Sequence, residues 1–305
     1  MLRLSEYIPA PLQRFRRLPV SRDQAMLLMV AVNELFLGLD TLLAHQTSGT
    51  IVPREWIPIV FGFTSGLLLL AAGLLAIRNR PLATVIGTLT LVASIVVGVL
   101  GAYYHVRRAA LPGAPFGEQL TVNLLIWAPP VMGPLAFVLV GFLGISAAWV
   151  ERPVNSGTLL LLGGRKLHLP YSKTRAYLYM VGMGMLAALV SSVLDHARSG
   201  FHSPWIWFAT AVGIFGLVAP VVLAALDEPT PLDFYTYIGA MVLLLVSGLL
   251  GASLHALSNL VAGNTIVIER FLRGAPLLAP MLYANMGLLG LLALLDPQEH
   301  PDEPS

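Results

Sequence analysis

Long apolar runs, separated by short polar ones, dominate the chain. Eight stretches of roughly 20 residues carry almost no charge, at about 23–45, 55–77, 82–104, 120–149, 175–196, 204–226, 234–256 and 276–295. A helix of that length, rising 1.5 Å per residue, matches the ~30 Å hydrocarbon core of a bilayer. The pattern predicts an all-α polytopic membrane protein with eight transmembrane helices. Composition sharpens this: only 11% of residues are charged and the mean hydropathy is +0.78, whereas soluble domains carry about 25% charged residues. The net charge of +2 gives no indication of a nucleic-acid partner. With no cysteine, the chain has no disulfide, no thiolate metal site and no covalent c-type heme attachment.

The apolar pattern is written twice. His45, Ser48, Gly49, Pro53 and Trp56 recur 151 residues later as His196, Ser199, Gly200, Pro204 and Trp207. Gly98, Gly101, Ala102 and His105 recur 150 residues later as Gly248, Gly251, Ala252 and His255. Pro130, Pro134, Gly141 and Gly144 recur 146 residues later as Pro276, Pro280, Gly287 and Gly290. Four spans per half is an even number, so the halves share one orientation, as two parallel-repeat four-helix bundles. The implied divisions are an N-terminal tail over 1–22, a first repeat over 23–150, a linker over 151–174, a second repeat over 175–295 and a tail over 296–305. Gly163 and Gly164 inside the linker read as the turn of a hairpin on the membrane face.

Short-loop Lys and Arg set the orientation. Twelve of the 18 fall on the N-terminal side and six, Arg54, Arg107, Arg108, Arg198, Arg270 and Arg273, on the other. Both termini are thereby placed in the cytoplasm of a bacterial-type inner membrane. The first residues lack the basic start and immediate apolar core of a cleavable signal, so the first span itself is expected to direct insertion.

Candidate chemistry rests on His45, His105, His196 and His255. Each closes an odd-numbered span at the outer face, and a duplication that kept imidazoles at matched sites points to a role for them. Within an up-down bundle the first and third helices are diagonal, about 11–14 Å apart. Two inward imidazoles across that gap suit one iron, on either side of a porphyrin. The reading is one bis-His heme b per half, held by His45 with His105 and by His196 with His255. A lone metal ion needs the helices closer or further ligands. Neutral imidazole also binds copper and other transition metals, so a copper-handling membrane protein is the alternative, and a scaffold or assembly subunit with purely hydrogen-bonding histidines the third. The glycines one and two turns below His105 and His255 either give a flat ligand a smooth face or let helices approach closely; beside histidines, the first reading is preferred.

Glu34 stands near the centre of the first span, almost three turns before His45 and on the same face. It is a candidate proton-handling or quinone-facing acid, and its counterpart is Met185. Asp40, Asp195, His168 and His202 are unduplicated and read as ordinary polar residues, His202 being near enough to supplement an outer metal site. The expected partners are lipid, quinone and other subunits of a membrane complex. The plan of two bundles with paired outer histidines resembles the architecture of the heme A synthase family. That family's histidines open the even spans, and Leu42 stands where its Glu-x-x-His pattern needs an acid before His45, so its activity is not carried over.

Overall fold

Residues 7–10, 20–260 and 267–297 are described by the computed structural model. Most of both expected tails lies outside them. The chain is mainly helical: α1 (Arg22–Ser48), α2 (Trp56–Leu75), α3 (Arg80–Ala109), α4 (Val122–Trp127), α5 (Met132–Ala148), α6 (Lys173–Ala197), α7 (Pro204–Ala225), α8 (Pro231–Asn259), α9 (Ile268–Arg273) and α10 (Leu278–Ala293). Six of them, α1, α2 with its short lead-in from Pro53, α3, α6, α7 and α8, are long and apolar enough to cross a membrane. Local chemistry fixes several starts. The hydroxyl of Ser21 accepts from the Gln24 amide, the carbonyl of the Asn79 side chain accepts from the Leu82 amide, and Thr230 and Asp233 close a reciprocal capping box.

The fourth expected span departs from the pattern. Residues 120–149 are not one helix but two pieces, α4 and α5, separated by residues 128–131. Pro129 and Pro130 lack amide protons and cannot continue a helix. Pro134 and Pro280 produce no kink, because each is the third residue of its helix, where no intrahelical donor is required. α5 and α10 are consequently 17 and 16 residues long, or about 25 Å.

Neighbour relations repeat between the halves. α1 packs on α2 and α5, and α3 does the same, so α1 and α3 face each other diagonally. In the second half α6 and α8 stand in that relation between α7 and α10. The halves meet through α5 against α6 and α1 against α10. α1 and α2 touch backbone to backbone: a Cβ on Gly62 would lie 2.5 Å from the Cα of Gly38. The linker forms an antiparallel sheet of β1 (Val150–Glu151), β2 (Thr158–Leu160) and β3 (Lys166–His168), with Gly163 and Gly164 at φ 69° and 74° in its turn.

At the linker end the halves are joined by buried charge. Lys173, which is 0% exposed, donates to the Asp23 carboxylate and to the Trp149 carbonyl. Arg22 donates to Thr174 Oγ1 at 2.6 Å and to Asp23 Oδ1 at 3.3 Å, and Tyr177 donates to the same oxygen at 3.0 Å. A buried carboxylate tolerates desolvation only with this density of partners. The opposite end differs. Buried residues of α1 stop at Gly38 and of α6 at Leu189, while those of α2 and α7 begin at Ile59 and Val212. Apart from Ala109 and Asn259 at the tips of α3 and α8, the histidine-bearing third of the long helices contributes no buried side chain among the described residues.

Candidate functional site

His45 and His105 come together across the first half, with ring centroids 6.3 Å apart and planes inclined at 59°. His196 and His255 do so across the second, at 6.3 Å and 41°. All four rings are half-buried. The diagonal placement of α1 with α3, and of α6 with α8, creates each meeting.

A second regularity fixes the rings. His45 Nδ1 lies 2.8 Å from the Thr41 carbonyl and His196 Nδ1 2.8 Å from the Ser192 carbonyl, each one turn back in its own helix. His105 Nδ1 lies 2.8 Å from the carbonyl of Pro130, and His255 Nδ1 2.8 Å from that of Pro276. A carbonyl only accepts, so Nδ1 carries the proton in every ring and a neutral imidazole keeps its lone pair on Nε2. Metal-ligating histidines characteristically donate their other nitrogen in this way. The break before α5, which shortens that helix, leaves the Pro130 carbonyl outside the helical ladder and available to His105.

The spacing admits a metal. Two imidazoles on opposite sides of one ion, at ~2.0 Å per bond and with each ring centre ~1.1 Å behind its nitrogen, have centres about 6 Å apart. No group of three or more His, Cys, Asp or Glu suited to a metal occurs among the described residues. Each site therefore offers two nitrogens. Heme iron needs only two axial ligands because the macrocycle supplies the other four, and a linear monovalent ion needs two in all, whereas zinc in protein sites takes three or four protein ligands.

The glycines do not provide a smooth ligand face. A Cβ on Gly98 would lie 2.7 Å from the Pro134 carbonyl oxygen, and one on Gly248 2.4 Å from the Ala284 amide nitrogen. A Cβ on Gly101 would lie 2.8 Å from the Pro134 Cβ, and one on Gly251 2.8 Å from the Pro280 Cβ. They are close helix contacts, α3 on α5 and α8 on α10. These contacts bring the start of each short helix against the histidine that it serves.

Around the pairs the halves differ. Phe201 lies 6.5 Å from His196 and stacks on Trp207 at 5.1 Å, whereas beside the first pair Arg54 covers the Tyr104 ring at 5.5 Å. Asp40 and Asp195 are exposed and within electrostatic range of each other. His168 sits on β3, 3.1 Å from Thr158 Oγ1, as a surface contact. Glu34 is 0% exposed; Ser65 donates to its Oε2 at 2.8 Å, and Ser94 Oγ is 2.5 Å from its Oε1. The hydroxyl partners of Glu34 and the carbonyl partners of the histidines were not anticipated from sequence. The acceptor positions 41 and 192, and 130 and 276, do obey the repeat offsets, which is the signal that could have exposed them. No protein family, no curated protein and no solved structure matches this chain.

Proposed function

We propose that the protein is an eight-span inner-membrane electron carrier of two parallel four-helix bundles, both termini cytoplasmic, with one bis-histidine heme b in each. His45 and His105 hold one, His196 and His255 the other, near the outer face. It passes electrons between a quinol and an acceptor on that side, alone or as a subunit of a larger complex. The observation that carries this is the pairing of imidazoles, twice, at one spacing and with every Nδ1 committed to a carbonyl. Bound heme would supply one-electron chemistry; the chain's own residues orient the axial nitrogens and fix their tautomer.

Purified protein expressed with heme supplementation is expected to contain iron and to show a b-type α-band on reduction. Protein with no Soret absorbance removes the proposal. A second reading, a two-coordinate monovalent copper in each pair, is favoured by the glycine contacts, which leave no flat face beside His105 and His255. Stoichiometric copper without iron, measured on the same sample, selects it.

A further inference from the structure

Glu34 is buried where its neighbouring helices supply no countercharge. α2, α5 and α10 contain no charged residue, and α3 has none between Arg80 and His105. The titratable and charged groups on these helices are Arg80, Tyr103, Tyr104, His105, Arg107 and Arg108 of α3 and Tyr283 of α10, with Glu269, Arg270 and Arg273 on α9, which also touches α1; the hydrogen bonds to the Glu34 carboxyl come instead from two hydroxyls.

Those hydroxyls each have two acceptors. Ser94 Oγ reaches Glu34 Oε1 at 2.5 Å and the Phe137 carbonyl at 2.9 Å. Ser65 Oγ reaches Glu34 Oε2 at 2.8 Å and the Gly62 carbonyl at 3.2 Å. With both turned toward Glu34 they solvate a carboxylate. With Ser94 turned to Phe137, its oxygen accepts from a protonated Glu34. Either state is hydrogen-bonded without moving a heavy atom, which removes the usual cost of an unsatisfied buried polar group.

The second half has replaced the cluster as a unit. At the same repeat offsets stand Met185, Gly216 and Leu244. Leu244 fills the space above Gly216, 2.5 Å from where a Cβ would lie. We infer that Glu34, Ser65 and Ser94 form a proton-binding site that serves the first histidine pair alone, so that an electron delivered to the metal of His45 and His105 brings one proton onto Glu34. The electron comes from a quinol-type donor and the proton from water; reoxidation releases both. Eleven residues of helix, about 16 Å, separate Glu34 from His45, and charges in an apolar interior are screened far less than in water. The inference rests on the redox reading above.

The test is a redox titration of the purified protein at several pH values, with infrared difference spectra in light and heavy water. One of the two centres is expected to fall in potential as pH rises while the other stays level, and a deuterium-sensitive carboxylic-acid band should follow the redox state of the first. Glu34→Gln should flatten the slope and remove the band. The triple variant Glu34→Met, Ser65→Gly, Ser94→Leu, which copies the core of the second half, should do the same and guards against a folding defect. A slope and band that survive in both variants overturn the inference. If no redox metal is present, the preceding proposal fails. In that case an infrared pH titration of the metal-free protein still decides the proton site, and absence of a Glu34 acid band at every pH overturns it.

Discussion

The two halves agree at their histidine ends and disagree in their middles. Both bring two rings to 6.3 Å and bind each Nδ1 to a carbonyl at 2.8 Å. About three turns away, the polar trio Glu34, Ser65 and Ser94 in one half corresponds to the apolar trio Met185, Gly216 and Leu244 in the other. The interior of a helical pair is thus free to change polarity provided that the replacements come together, because a lone carboxyl or a lone cavity is costly. Geometry that recurs in both halves marks the histidines as the shared element and the Glu34 cluster as the one that differs.

The comparison is broken most completely at the rings. His45→Ala should lower the bound metal from two per chain to one, and His45→Ala with His196→Ala should abolish it, as elemental analysis would read. Equal metal loss from either single variant and from the pair would mean that the halves do not bind independently. Next in size is the joint between them. Lys173→Met leaves the buried Asp23 carboxylate with Arg22 and Tyr177 alone and should cost about 2–3 kcal/mol of unfolding free energy in detergent. A Lys173→Met variant as stable as the parent would show that the ion pair holds nothing.

Effects of that size or less probe the interiors. Met185→Glu places a carboxyl where Gly216 and Leu244 offer no hydroxyl, and should cost about 2–3 kcal/mol. Adding Gly216→Ser and Leu244→Ser should recover part of that loss, which chemical denaturation can resolve. Gly248→Ala pushes a methyl into the Ala284 backbone and should cost about 1–3 kcal/mol. Because it also displaces the Pro276 carbonyl from His255, metal should be lost from the second site and retained by the first.

Much of this was legible in the sequence. The offsets of 151 and 150 residues paired the histidines correctly, since a repeat that fixes helix order also fixes which helices lie on a diagonal. The break at residues 128–131 is hidden in the sequence, because apolar residues flank the prolines on both sides. The glycines were misassigned for a related reason: a bare patch beside a ligand and a bare patch beside another helix have the same spacing. Ser65 and Ser94 were invisible as partners of Glu34, being single hydroxyls on apolar helices whose facing depends on crossing geometry. Arg22 and Lys173 lie 151 residues apart and head equivalent helices, yet each counted only as loop charge.

Arg22 and Lys173 also relate the two halves to each other. Arg22 reaches Thr174 while Lys173 reaches Asp23, so each basic residue crosses to the position that follows its own counterpart. Such an exchange is what a two-fold axis imposes when one surface meets a copy of itself. The halves of this one chain thus meet here as two like subunits would, although their cores differ at Glu34 and Met185.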